Sequence, residues 1–290
     1  MQTFPLGSHT VGRVGFGAMQ LPGPGVFGPP RDHDQALAVL RRAVELGINH
    51  IDTAQFYGPD VSNELIREAL HPYPAELAIV SKVGARRDDQ GNWTAAQQPD
   101  DLRADIEQNL TTLGTDRLAA VNLRIHSGDP NSVGPVDREL FDRQLTAMIA
   151  ARDEGLIGGI GLSSVSVEHL RMALERTEIV TVQNAYNLVD RSSQPVLDLC
   201  TERGISFVPF FPLGSGFTAD NPVLGHPVVT RAAEHLGHTP AQIALAWTLA
   251  VAPNVLLIPG TSSVAHLEEN TAVRDIALPS ELVTELTAVA

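Results

Sequence analysis

The chain has 290 residues, 43% of them hydrophobic, so it can bury a full-sized core without disulfides or metals to hold it together. Its formal charge of −14 argues against a nucleic-acid or anionic-membrane surface. The single cysteine, Cys200, excludes an internal disulfide and fits a reducing compartment, and the ten histidines are dispersed, with no metal-ligand cluster. At the N-terminus no basic stretch leads into an apolar run, so the expectation is a cytoplasmic protein, neither secreted nor membrane-spanning.

Phe4-Pro5-Leu6-Gly7 followed by Thr10-Val11 predicts a small N-terminal β-hairpin. Short apolar runs then alternate with longer amphipathic stretches. The predicted strands are Val14 to Ala18, Ile48 to Asp52, Leu77 to Lys82, Leu118 to Ile125, Gly158 to Leu162, Ile179 to Gln183, Phe207 to Phe210 and Val255 to Ile258. The sixth and eighth lack polar alternation, as parallel strands covered on both faces do. Between them, residues 34–46, 63–70, 99–113, 137–154, 167–175 and 195–203 carry apolar side chains at helical spacing. A further helix begins at Thr239-Pro240, with a capping threonine and a proline in the first turn. Eight strands with interposed helices and no dividing linker predict one α/β domain over residues 1–290, a (β/α)8 TIM barrel. Irregular stretches at 21–32, 84–100, 127–136 and 213–227 follow the C-terminal ends of strands, the face that carries active sites in such barrels.

The chain contains 19 arginines and one lysine, Lys82, at the end of the third strand. An ammonium is compact and titrates readily when buried, whereas guanidinium does neither. Asp52 ends the neighbouring second strand, and Tyr57 lies in the loop after it. A carboxylate there pairs with the ammonium, and the ammonium favours ionisation of the phenol. Tyr57 is then a candidate general acid for a developing alkoxide; a structural Asp-Lys pair at the barrel rim is the alternative.

Asp52-Thr53-Ala54-Gln55-Phe56-Tyr57-Gly58 followed by Asn63-Glu64 resembles the signature of the aldo-keto reductase family. Gly15-Phe16-Gly17, Ser81-Lys82, Gly161-Leu162-Ser163, Val182-Gln183-Asn184, Pro212-Leu213-Gly214 and Ile258-Pro259-Gly260-Thr261 extend the resemblance, in order, along essentially the whole chain. The resemblance implies that Asp52, Tyr57 and Lys82 are three members of a catalytic tetrad. The fourth is usually a histidine ending the fourth strand. Here that position falls on Arg124, with His126 two residues later and Asn122 two before, all on one face of an extended strand. Arg124 ranks first for the role, His126 second, and Asn122 is a candidate for orienting substrate.

This departure, with Phe210-Phe211-Pro212-Leu213-Gly214, resembles a bacterial subgroup that includes pyridoxal reductases, which implies reduction of an aldehyde or ketone, with pyridoxal or a related aromatic aldehyde among the candidates. The implied cofactor is NADPH, with NADH left open. It would be held by Gly17, Asp52, Ser163, Ser164 and Gln183, by Phe210 stacking on the nicotinamide, by Pro212, Leu213, Gly214 and Gly216, and by Gly260, Thr261, Ser262, His266, Glu269 and Asn270. Gly260, Ser262 and His266 stand where the family commonly has a basic clamp for the 2′-phosphate. Phe27 and Trp93 are candidate aromatic walls of the substrate pocket beside Tyr57, Asn122 and Arg124. The expected partner is a small carbonyl compound, and the expected assembly a monomer or weak homo-oligomer without nucleic acid, membrane or metal. A different reading is a cofactor-binding accessory barrel with little turnover, resembling the beta subunits of potassium channels.

Overall fold

A computed structural model of the chain describes residues 2–125, 133–214 and 221–289. The hairpin comes first: β1 (Thr3–Leu6) pairs antiparallel with β2 (His9–Gly12). The barrel begins with β3 (Phe16–Gly17), β4 (His50–Asp52) and β5 (Ala78–Val83). A second hairpin, β6 (Ala85–Arg87) with β7 (Trp93–Ala95), occupies part of a stretch expected to be irregular. The barrel continues through β8 (Ala120–Arg124), β9 (Ile160–Ser163), β10 (Thr181–Gln183) and β11 (Ser206–Phe207). β3, β4, β5, β8, β9, β10 and β11 form one sheet in that order, with every pairing parallel.

The eighth position is filled differently from expectation. Residues 255–257 make single parallel bridges on both sides, Val255 to Phe207 and Leu257 to Val14. Gly15 N–H donates to Leu257 O at 2.8 Å, and Leu256 N–H donates to Phe207 O at 2.9 Å, so this segment closes the sheet into a barrel without forming a regular strand. Arg13 fastens the closure from below. Its guanidinium donates to the carbonyls of Ala252 and Leu249 at 2.6 Å and of Val255 at 3.0 Å.

Around the barrel run α1 (His33–Glu45), α2 (Val61–Leu70), α3 (Pro99–Leu113), α4 (Arg138–Asp153), α5 (Val167–Leu174), α6 (Gln194–Arg203), α7 (Pro227–Leu236), α8 (Pro240–Val251), α9 (Val264–Ala272) and α10 (Ser280–Thr287). Their starts follow local chemistry. Asp32, Asp137, Ser166, Thr239 and Ser263 each accept a backbone N–H of the first turn. The apolar stripes of the helices and the outer face of the sheet make one large core. A separate small cluster lies inside the barrel, where Leu6 and Val11 of the hairpin plug the bottom against Ala78, Val80, Ala120, Val208 and Leu256. Above this plug the interior turns polar, and that change sets the height of the site.

His50 lies in this interior, two residues below Asp52 on the same face of β4, and neither ring nitrogen has a hydrogen-bond partner among the described residues. Burial pushes its pKa down to about 4; Asp52 opposes the shift and Lys82 adds to it. The folded value therefore lies below the unfolded one, and the stability associated with a neutral His50 is complete above pH 6.5 and lost as pH falls towards 4. In full it is on the order of 3 kcal/mol. His50→Leu is expected to lose less stability than the wild type between pH 6.5 and 4, as measured by denaturant unfolding at several pH values. Parallel slopes in the two proteins would contradict the assignment.

Candidate active site

The alternation of side chains along β4 and β5 turns Asp52 and Lys82 into the barrel, and the sheet register brings them together. Both are almost fully buried, at 2% and 4% exposure, so solvent does not screen them. The Lys82 ammonium donates to Asp52 Oδ1 and, at 3.0 Å, to Thr53 O. Asp52 Oδ2 accepts from Gln183 Nε2 at 2.6 Å, across the barrel. Burial alone would lower the lysine pKa, but the charge and hydrogen bonding of Asp52 and Tyr57 outweigh it and hold the value above that of ordinary lysine.

Tyr57 closes the pair from above, its ring centroid 4.9 Å from the Lys82 nitrogen. Its loop turns sharply at Gly58, whose φ of +111° and approach to Val61 leave no room for a side chain; a Cβ would fall 2.3 Å from that of Val61. Phe56 meets Tyr57 edge to face, with centroids 5.3 Å apart, and Trp93 meets Phe56 at the same separation. The loop carrying Phe27 is stitched to the same turn, Gly28 N–H donating to Gly58 O at 2.8 Å.

Of the three fourth-strand candidates, Arg124 is the one the described residues place beside Tyr57. It is largely buried and close enough to Tyr57 for mutual attraction; burial lowers its pKa while Tyr57 opposes the shift. One guanidinium nitrogen donates to Ser163 Oγ at 3.3 Å, and the guanidinium carbon lies 5.5 Å from the Phe210 ring centroid. Asn122, aligned with Lys82 in the sheet, is fully buried and donates to Ser81 O at 3.4 Å, which places it in the barrel interior below Arg124. His126 and Gly216 lie outside the described residues.

The residues expected to meet the cofactor gather on the same face. Ser163, Ser164 and Gln183 end β9 and β10, and Ser164 Oγ and Gln183 Oε1 are buried without a partner among the described residues. A donor and an acceptor left open at one strand edge suit a carboxamide. Phe210 meets Phe211 edge to face at 5.3 Å, and Leu213 and Gly214 are held in a turn by Asn221 and by Gly214 N–H donating to Phe211 O. Gly17 and Gly260 also have a structural duty. A Cβ on Gly17 would come within 2.5 Å of Ile258 O, and one on Gly260 within 2.5 Å of Gly17 O, so barrel closure itself requires both glycines. Thr261 accepts from Ser263 N–H at 3.0 Å at the start of α9. Ser262 is exposed, and His266 lies in the first turn of that helix. Asn270 is buried, and Glu269 is held by the Thr239 hydroxyl and, through its carbonyl, by Gln242.

Two features escape the sequence reading. Arg87 lies with its guanidinium carbon 4.3 Å from the Trp93 ring centroid and 5.5 Å from that of Phe27, joining the two expected aromatic walls. Behind the site, Gln55, Asn63, Ser81 and Asn109 form a buried hydrogen-bonded set. Arg87 stands beside Arg86 in an irregular-looking stretch, and Asn109 looks like one more polar residue of a helix.

A family model described as the aldo/keto reductase family matches residues 13–290. The chain belongs to that family. It is 48% identical to pyridoxine 4-dehydrogenase of Escherichia coli over 284 residues, which is 98% of this chain and 96% of that protein. Among solved structures, a thermostable aldo-keto reductase in complex with the inhibitor epalrestat aligns with a TM-score of 0.81, at 29% identity and with all of both chains covered. An aldo/keto reductase from Klebsiella pneumoniae in complex with NADP and acetate aligns with a TM-score of 0.79 at 25% identity, covering 99% of this chain and 94% of that one. The chain is thus an oxidoreductase on a (β/α)8 barrel, and among its described residues no helix is long and apolar enough to cross a membrane.

The buried pair has a consequence for stability. Removing one partner strands the other charge in the interior, at a cost of about 3–5 kcal/mol. Asp52→Leu is expected to be destabilised by that order, and Asp52→Leu combined with Lys82→Met to be more stable than Asp52→Leu alone. Urea unfolding of the set measures this; additive losses would show that the two groups are not coupled.

Proposed function

We propose that the chain, as one barrel domain over residues 1–290, reduces an aldehyde or ketone to the alcohol with NADPH, and that its substrate is pyridoxal or a related aromatic aldehyde. The observation that carries the reading is the Lys82 ammonium, clamped by Asp52 and Thr53 O beneath Tyr57 at the C-terminal end of the barrel. Similarity to a pyridoxine 4-dehydrogenase along nearly the whole chain supports the substrate class.

When bound, NADPH would supply the hydride that the carbonyl carbon accepts. Tyr57 gives its hydroxyl proton to the carbonyl oxygen, and the phenolate left behind is stabilised by the adjacent ammonium. Asp52 keeps Lys82 charged and fixed, and Gln183 holds the second carboxylate oxygen so that the ammonium has one orientation. Arg124, facing Tyr57, polarises the carbonyl and attracts an anionic substituent such as a ring phenolate; His126 is the alternative donor. Ser163, Ser164 and Gln183 would hold the carboxamide and Phe210 the ring face. Pro212, Leu213, Gly214, Gly260 and Thr261 would hold the diphosphate, and Gly216, outside the described residues, is the further candidate for it. Ser262 and His266 at the start of α9 meet the 2′-phosphate through donors and a helix terminus, and Glu269 and Asn270 meet the adenine. Phe27 and Trp93, braced by Arg87, wall the substrate side. The protein acts in the cytoplasm as a monomer or weak homo-oligomer.

Tyr57→Phe and Lys82→Met are expected to bind NADPH with a Kd within about twofold of wild type while losing on the order of a hundredfold or more in kcat with pyridoxal. Following NADPH absorbance over a panel of aldehydes tests this. Full turnover by either variant sinks the assignment, and no turnover by the wild type on any carbonyl points to the accessory barrel instead.

Arg124→Ala is expected to lose more kcat/KM for pyridoxal than for benzaldehyde, which lacks the phenolate, whereas His126→Ala changes both alike and less. If Arg124→Ala kept pyridoxal turnover while His126→Ala abolished it, the fourth role would pass to His126.

A further inference from the structure

We infer that Asn109 is the positioning residue that sets Tyr57 against Lys82, a role that rests on the proposed acid–ammonium pair. Tyr57 and Lys82 belong to different arms of the chain: the tyrosine to the loop after β4, the lysine to β5. Inside the barrel the two arms meet through Lys82, which donates to Asp52 and Thr53 O. The outward-facing residues of both arms meet at a single side chain on α3.

Asn109 lies on the buried stripe of α3 with Leu102, Asp105, Ile106, Leu110 and Leu113. A fully buried amide on such a stripe is tolerated only when bonded, and here all its capacity is used. Its Oδ1 accepts from Ser81 Oγ at 2.6 Å and from Asn63 Nδ2 at 3.0 Å. Its Nδ2 donates to Gln55 Oε1 at 3.0 Å and to Asp105 O at 2.8 Å.

The three partners outside α3 lead to the reacting pair. Ser81 precedes Lys82 on β5, facing outward where the lysine faces inward. Gln55 lies two residues before Tyr57, and its own amide donates to Ala85 O at 3.3 Å. Asn63 accepts the Thr53 hydroxyl at 2.8 Å, and Thr53 O is the second acceptor of the Lys82 ammonium. One amide therefore ties the lysine's strand, the lysine's carbonyl acceptor and the tyrosine's loop to the same helix. Misplacement of a reacting group by about 1 Å can cost on the order of a hundredfold in rate, and among the hydrogen bonds described Asn109 is the side chain of a third element that reaches both arms, beside the direct bond from Gln55 to Ala85 O.

The test is Asn109→Ala in the full chain with NADPH and pyridoxal, beside Asn109→Asp, which keeps the size and both acceptor contacts but gives up the donations to Gln55 Oε1 and Asp105 O. For Asn109→Ala the expected result is a loss of about tenfold in kcat, with KM for pyridoxal and Kd for NADPH within twofold. The solvent deuterium isotope effect on kcat should rise and the pH profile of kcat should move, because proton delivery is what has been disturbed. Asn109→Asp should fall between Ala and wild type. A drop in thermal stability with kcat, isotope effect and pH profile unchanged would make Asn109 merely structural and overturn the inference. Should Asn109→Ala fail to fold, Ser81→Ala removes only the β5 contact and is expected to move the same isotope effect and pH profile by less; an unmoved profile there also overturns it. Activity retained by Tyr57→Phe would instead refute the underlying pair, whereas an inactive Tyr57→Phe beside an unaltered Asn109→Ala would refute the clamp alone.

Discussion

A single ammonium inside the barrel governs how the rest of the site is arranged. Burying a charge is unfavourable unless it is paired and hydrogen-bonded, and Lys82 meets both demands through Asp52 and Thr53 O. Each solution creates a further demand. Asp52 needs a donor for its second oxygen, which Gln183 supplies from the far side of the barrel. Thr53 O is available only because the chain leaves β4 in a fixed turn, and that turn also delivers Tyr57. An arginine at position 82 would satisfy the charge count but not the space: its planar fork is larger, and its many donors would each need an acceptor in the same small volume.

The pair also depends on how the barrel closes. The eighth segment contributes only two bridges, yet its carbonyls and amides complete the ring on both sides. The ring can close so tightly because Gly17 and Gly260 allow backbone against backbone beside Ile258. A substitution at either glycine would therefore disturb the barrel closure itself.

Much of this was legible in the sequence, for physical reasons. Runs such as Ile179-Val180-Thr181-Val182 read as strands because buried parallel strands lose polar alternation, and β10 lies among them. Asp52, Tyr57 and Lys82 could be assigned to one end of the barrel because strand ends share a face in this topology. What stayed hidden depends on partners distant in sequence. The β6–β7 hairpin has short strands and a polar turn, with little periodicity to detect. Val255 to Ile258 was apolar enough for a strand, but its pairing is limited to single bridges. Arg87 gains its place from two aromatics on different loops, and Asn109 from four partners on three other elements and its own helix. Helix α7 was missed because Pro227 reads as the end of a loop when it is the first residue of a helix.

The arginine at the fourth position changes the electrostatics in a way a histidine would not. An imidazole titrates near neutrality, so its charge beside Tyr57 would vary with pH and with its neighbours. A guanidinium remains charged even when burial lowers its pKa, as it does for Arg124. The phenolate formed at Tyr57 would therefore be flanked by two permanent cations, Lys82 below and Arg124 beside it. Because Arg124 also lies near the Phe210 ring and donates to Ser163, its position is coupled to the strand ends proposed to face the nicotinamide. An anionic ring substituent on the substrate would be attracted to the same guanidinium that steadies the developing charge on the carbonyl oxygen. Substrate binding and stabilisation of the carbonyl oxygen would then share one group, and discrimination among aldehydes would follow from the charge they carry as well as from their size.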